Sequence, residues 1–290
     1  MPPKPAGQPD ECFRAVGTAL AGITPRLERL SQTPGLDAQV LLARVLQKPR
    51  AWVLAHPEAP LTRTRAAALE TLVRGLEGGK PLPYLLGSWE FFGLQFEVTP
   101  DVLIPRPETE LLVERAIAWL RANPSRRRAA DVGTGSGCIA VSLAANLPDL
   151  RVMATDLSPA ALKVAGRNAG KCKVAGRVEF CCCDLFPDRV GFDLIVANLP
   201  YVPTRQLQEL PICGCEPALA LDGGPDGLTV IRRLLAQVPD RLVPGGLLLM
   251  EIEASQGPRI LSLAYDAFSE AEIHLHQDLA ERDRLLEVQV

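Results

Sequence analysis

Apolar residues along this chain follow two different periods. Up to residue 79 they recur at helical spacing, most plainly in Asp37–Leu46 and Arg65–Gly75. Recurrence every three to four residues lines up one stripe of a helix. Pro25, Pro34, Pro49, Pro57 and Pro60 fall between such runs and are read as cutting them into short helices, while Gly78-Gly79 closes the last. Residues 1–79 are therefore predicted to form a small all-helical domain. Between 80 and 105 the pattern changes: Trp89–Val98 alternates about Gly93, which predicts a β-hairpin linker. Pro105 and Pro107 then lead into a helix from Glu108 to about Leu120, with acids in its first turn, where the helix dipole favours them.

From residue 129 strand and helix signals alternate. Strands are predicted at Ala129–Val132, Arg151–Thr155, Val178–Cys182, Phe192–Ala197 and Gly246–Ile252. The segments between them read as helices; Ser158-Pro159, a capping residue followed by proline at the first helical position, opens one of them. Such βα alternation implies a parallel sheet with helices on both faces. Glu270–His276 and Arg284–Val290 add a late edge hairpin. The fold class is thus α/β, with a seven-stranded sheet domain over 106–290.

Composition narrows the classes. The chain has 290 residues, 47% hydrophobic and 22% charged, which is enough to bury a core without staples. No run reaches the roughly 18 apolar residues of a membrane span. Met1–Asp10 has no apolar core and carries an acid, so it is read as a disordered lead rather than a signal peptide, and a cytoplasmic address is expected. The net charge of −3 conceals +4 over residues 1–128 and −7 over 129–290. The positive part suits an acidic partner such as RNA or an RNA-bound complex, or is simply a solvated face around Arg126-Arg127-Arg128. Eight cysteines stand at 12, 138, 172, 181, 182, 183, 213 and 215, without the paired C-x-x-C of a zinc site. Cys181-Cys182-Cys183 lies in an apolar run, Cys213-Gly-Cys215 lacks identifiable partners, and His274-Leu-His276 has the spacing of one strand face. Reduced thiols and no metal are expected.

The chemistry begins at Asp131-Val132-Gly133-Thr134-Gly135-Ser136-Gly137, after a strand and before a helix. Glycines there let backbone approach a ligand closely. The third glycine comes one residue too early for the dinucleotide fingerprint, and there is no P-loop. The turn resembles motif I of class I S-adenosylmethionine-dependent methyltransferases. That resemblance implies S-adenosyl-L-methionine as cofactor, held at Gly133, Thr134, Gly135, Ser136 and Gly137. Asp156 ends the second strand, where a carboxylate can accept from both ribose hydroxyls. Asp184, followed by Leu185, ends the third, where the adenine amino group would lie in such a fold. Ligands of open α/β sheets bind beyond these strand ends.

The fourth strand ends in Asn198-Leu199-Pro200-Tyr201. This resembles the [N/D/S]-P-P-[Y/F/W] motif of amino-group methyltransferases, whose adenine and glutamine substrates present a planar NH₂ with a delocalised lone pair. Accepting its hydrogens at the Asn198 oxygen and a nearby carbonyl would aim that lone pair and favour the developing positive charge. Tyr201 would wall the planar group. Asn198, Pro200 and Tyr201 are the expected catalytic residues; Asn198–Tyr201 would bind substrate, with Asn198 also touching cofactor. Leu199 replaces the commoner proline, which costs rigidity but keeps a carbonyl.

Further segments resemble the PrmC/HemK family. They are Pro83–Gly93, Val102-Leu-Ile-Pro-Arg-Pro-Glu-Thr-Glu110, Glu216–Gly227 and the tail Asp278–Arg284, so the similarity runs from about residue 35 to the end. Glu253 departs from the family's usual glycine. Membership would imply methylation of the glutamine in the Gly-Gly-Gln motif of peptide chain release factors, with a helical N-terminal domain that docks the protein substrate. No stable nucleic acid and no membrane would be partners. An adenine-N6 nucleic-acid methyltransferase, a ribosomal-protein glutamine methyltransferase and a non-catalytic binding module remain as alternatives.

Overall fold

The computed structural model describes residues 15–187, 191–210 and 214–290; the expected N-terminal lead, Cys12 and Cys213 lie outside them. The chain divides into two compact units between Gly87 and Ser88.

The first unit holds α1 (Val16–Leu27), α2 (Pro34–Leu46), α3 (Arg50–Ala55), α4 (Arg63–Glu77) and α5 (Leu82–Leu86). Helices α1, α2 and α4 pack on one another, burying Ile23, Leu27, Leu41, Leu42, Leu69 and Val73. Pro34 opens α2, where a missing N–H costs nothing. Thr62 caps α4 by accepting the Arg65 N–H at 3.3 Å. Arg26 bridges α1 to α4 through Glu70 at 2.6 Å and Glu77 at 2.8 Å. Two expectations need correction. Pro25 does not separate helices but lies in the last turn of α1, where one lost backbone bond is tolerated. Residues 82–86, read as part of the linker, form a helix of one turn.

The second unit opens with the hairpin, β1 (Ser88–Phe91) and β2 (Leu94–Glu97), paired antiparallel. Then come α6 (Glu110–Ala122), β3 (Arg128–Val132), α7 (Cys138–Asn146), β4 (Arg151–Asp156), α8 (Pro159–Lys171), β5 (Val178–Cys182) and β6 (Phe192–Ala197). The short α9 (Thr204–Leu207), α10 (Thr229–Gln237), β7 (Leu242–Glu251), α11 (Gly257–Ala267), β8 (Glu272–Gln277) and β9 (Asp283–Gln289) complete it. The seven-stranded sheet runs β5-β4-β3-β6-β7-β9-β8. Pairings from β5 to β7 are parallel, and those of β9 with β7 and β8 antiparallel.

Alternation along the strands builds a core on each face. Leu194, Val196, Leu247 and Leu249 face one side with α6, α7 and the hairpin residues Phe91 and Phe96. Ile195, Ala197, Leu248 and Met250 face the other with α10 and α11. Asn168 of α8 ties the hairpin to the glycine turn: it accepts the Glu97 N–H at 2.7 Å and donates to the Ser136 carbonyl at 2.8 Å. The sheet order reverses between β3 and β6, which leaves a crevice beyond their carboxyl ends. Among the described residues no helix is long and apolar enough to cross a membrane.

Candidate active site

A cavity of about 350 Å³ opens at that crevice. Its lining brings together Gly133, Thr134, Gly135, Ser136, Asp156, Asp184, Leu185, Asn198, Leu199 and Pro200. A smaller cavity of about 140 Å³ shares Asn198 and Leu199 with it and adds Tyr201. Gly137 lines neither cavity. It caps α7 at φ 79°, and a Cβ there would lie 2.9 Å from the Ala165 Cβ.

The glycine turn is held by side chains beneath it. Asp131 Oδ2 accepts the Thr134 hydroxyl at 2.6 Å and the Ala140 N–H at 3.0 Å. Asp131 is fully buried, and burial pushes its carboxyl up to about 6. Its Oδ1 and the Ser136 Oγ are buried without a hydrogen-bond partner. Gly135, at φ 55°, has nothing within 4 Å of the place a Cβ would take, so backbone alone faces the cavity there.

Asp156 is engaged on both oxygens: Oδ2 accepts the Gly135 N–H at 2.9 Å and Oδ1 the Ser158 N–H at 2.8 Å. A carboxylate has about four acceptor positions, so it retains capacity for two more donors. Burial raises its pKa, against the pull of these N–H groups. Asp184 is half-exposed and ion-paired with Arg233 of α10, which lies 49 residues further on and also lines the cavity. Leu185 stands at φ 62°, and its carbonyl accepts the Thr155 hydroxyl at 2.7 Å. Cys138 and Cys183 line the cavity too; burial pushes the Cys138 thiol up to about 12, and burial with the neighbouring Cys181 raises that of Cys183, both away from the thiolate form.

The other wall is built from side chains far apart in sequence. Asn198 Nδ2 donates to Thr109 Oγ1 at 3.0 Å and to Glu251 Oε2 at 2.9 Å. Both amide hydrogens are thereby committed, and among the described residues Oδ1 has no hydrogen-bond partner. Thr109 donates its own hydroxyl to Glu251 Oε2 at 2.6 Å, and Tyr201 donates to Glu251 Oε1 at 3.2 Å. Glu251 is buried, and burial raises its pKa; the Thr109 hydroxyl, the Arg284 charge and the Tyr201 hydroxyl pull it back. The Tyr201 phenol is raised as well, by burial and by the Glu251 charge.

Close backbone contacts lock this wall. Leu199 packs where a Cβ on Gly133 would lie 2.9 Å from its Cδ2. The Tyr201 carbonyl accepts Gln256 Nε2 at 2.9 Å, and a Cβ on Gly227 would fall 2.3 Å from that carbonyl. Glu216, buried, grips Arg106 at 2.5 Å and the Ile104 N–H at 3.1 Å, pinning two loops that border the cavities. Thr109 and Glu251 were missed as individual site residues, although the segments containing them stood out in the sequence. Glu253 has a plain role: at φ −82° it accepts the Ser255 N–H at 2.9 Å and needs no glycine.

Sheet order, glycine turn and acid-bearing strand ends together define the class I methyltransferase fold. A solved methyltransferase from Pyrococcus furiosus superposes with a TM-score of 0.51 at 16% identity, over 79% of this chain and 98% of that one. Residues 18–87 match the PrmC N-terminal domain model and 108–212 the methyltransferase small domain. The release factor glutamine methyltransferase of Moorella thermoacetica is 44% identical over 87% of this chain and 90% of its own length. That of Coxiella burnetii is 39% identical over 94% and 98%. The chain belongs to the release factor glutamine methyltransferase family.

Proposed function

We propose that this enzyme transfers the methyl group of S-adenosyl-L-methionine to the side-chain amide nitrogen of the glutamine in the Gly-Gly-Gln motif of peptide chain release factors. The observation that carries the reading is the Asn198 amide. With both of its N–H groups held by Thr109 and Glu251, its oxygen is the end left to accept from a substrate NH₂. An amide nitrogen is a poor nucleophile, so alignment and a preorganised acceptor are what the protein must add. Tyr201, fixed by its hydroxyl and its carbonyl, supports the same wall.

The residues of the larger cavity fit the cofactor. A volume of about 350 Å³ suits a nucleoside-sized ligand. Gly135 leaves room for it, while Ser136 Oγ, in the cavity lining, offers an unpartnered polar atom beside the turn. Asp156 would hold the ribose and Asp184 with Leu185 the adenine. When bound, the cofactor supplies an electrophilic methyl group on a sulfonium centre. Asp156 and the glycine turn, braced from beneath by Asp131, position it; Asn198, Pro200 and Tyr201 position the acceptor.

The helical unit is proposed to dock the protein substrate, in keeping with the net positive charge of residues 1–128. The charge of −7 over 129–290 disfavours a polyanionic nucleic-acid substrate. A release factor substrate supports a cytoplasmic address. The test is to incubate the full chain with methyl-labelled S-adenosyl-L-methionine and release factor, ribosomal protein or DNA, and to map the label by mass spectrometry. Label on the Gly-Gly-Gln glutamine is expected; label only on ribosomal protein or adenine would reject the reading.

A further inference from the structure

We infer that Glu251 sets the working orientation of Asn198: by holding the N–H end of that amide, it keeps the oxygen turned to the acceptor nitrogen. The inference rests on the reading of Asn198 given above and goes further, by assigning the group that decides which end of the amide works.

The two ends of an asparagine amide have nearly the same shape. A half-turn about the last side-chain bond exchanges O for NH₂ at little steric cost, so partners decide. Thr109 alone cannot decide, because a hydroxyl both donates and accepts and would pair with either end. A carboxylate accepts only. Glu251 Oε2, at 2.9 Å from Nδ2, therefore admits one orientation. It also takes the Thr109 proton at 2.6 Å, which leaves that hydroxyl to act as an acceptor towards Asn198. Without Glu251 the Thr109 proton is released and can be given to Asn198 Oδ1. The flipped amide would then point N–H groups at a substrate NH₂, donor against donor.

A charge this deep needs compensation. Three donors supply part of it: Thr109, Asn198 and Tyr201. Arg284 of β9 lowers the Glu251 pKa, and Glu108 opposes it. The Cys138 thiol feels the Glu251 charge too, and Arg106 acts on Tyr201. Arg284 is itself held, by Asp278 at 3.3 Å and by the Ile252 carbonyl at 3.4 Å. Protonation of Glu251 would turn one accepting position into a donor and loosen the amide, so activity should fall on the acid side as Glu251 takes up its proton.

Glu251 acts through Asn198, which makes it a positioning residue and gives a specific test. Asn198→Asp sets two carboxylates against each other and should lower kcat on release factor about 100-fold, the scale of losing one preorganised group. Adding Glu251→Gln to it restores a donor–acceptor pair with the roles exchanged, and kcat should rise at least about tenfold over Asn198→Asp. Glu251→Gln alone should lower kcat about tenfold and remove the Glu251 step from the acid limb of the kcat profile at saturating cofactor. Calorimetric binding of S-adenosyl-L-methionine should stay within about twofold throughout, which also reports folding. Rescue by the pair is expected. Losses that multiply, or cofactor binding that falls in step with kcat, would make Glu251 a purely structural group and overturn the inference. Absence of label with the parent protein would overturn both this inference and the reading it rests on; label with the parent but no rescue overturns this inference alone.

Discussion

The two walls of the active site are built on different principles. The cofactor wall is local: the turn 131–137 and the ends of β4 and β5 present backbone N–H groups and short acids, each within a few residues of its strand. Asp156 crosses it to backbone, taking the Gly135 and Ser158 N–H groups, and the Asp184–Arg233 ion pair is its long-range side-chain link. The acceptor wall is convergent. Thr109 and Glu251 lie 142 residues apart yet bond at 2.6 Å, and Asn198 joins both. A local wall can be read from spacing, whereas a convergent one exists only once the sheet has closed. The walls should also fail differently, one in affinity and the other in turnover.

The sharpest separation comes from Asn198→Ala. It removes the acceptor while leaving the glycine turn and Asp156 in place. Single-turnover methylation of release factor should slow about 100–1,000-fold, with cofactor affinity nearly unchanged by calorimetry. A near-normal rate would remove Asn198 from the chemistry.

The cofactor wall should show its own signature in pH-dependent stability. Burial lifts the Asp131 carboxyl from 3.8 to about 6. A raised folded-state value means that Asp131 favours the native state below its ordinary pKa and loses that contribution as pH rises through about 6. The full change corresponds to about 3 kcal/mol. Between pH 4 and pH 7, urea unfolding should show the parent losing most of that amount relative to Asp131→Asn, which lacks this titrating group. Parallel pH slopes for the two proteins would contradict the assignment.

Asp156→Ala should mirror Asn198→Ala. Removing a charged acceptor costs about 1.5–3 kcal/mol of cofactor affinity, while kcat at saturating cofactor changes less. If calorimetry finds affinity intact in a folded variant, Asp156 does not hold the cofactor. The smallest effect is expected for Tyr201→Phe, which keeps the ring and removes one donor to Glu251. About 0.5–1.5 kcal/mol should be lost from transition-state stabilisation, read as kcat/KM on release factor, with cofactor affinity untouched. A loss as large as that of Asn198→Ala would give Tyr201 a larger part than bracing the wall.

What the sequence made legible follows the same division. Strand alternation, the glycine turn and Asn198 at the end of β6 were all readable, because each is a pattern of a few adjacent residues. Thr109 and Glu251 were not readable as partners, because nothing in either segment announces that it meets the other. The sequence around Asp184 shows a strand-end acid and no partner; only the packing of α10 sets Arg233 against it. Leu82–Leu86 is too short to display a helical period. Pro25 carries a helix breaker's signal, yet its place in the last turn leaves α1 intact. Glu253 proves to be a local cap.

The acceptor wall depends on Asn198 being held by its N–H end, and the side-chain amide can be observed directly. In full-length protein labelled with ¹⁵N-asparagine, the Asn198 NH₂ resonance is identified by its absence from Asn198→Asp. Its two hydrogens should be resolved, protected from solvent exchange, and lose that protection in Glu251→Gln while cofactor binding persists. An Asn198 NH₂ that exchanges as freely in the parent as a solvent-exposed asparagine would contradict it.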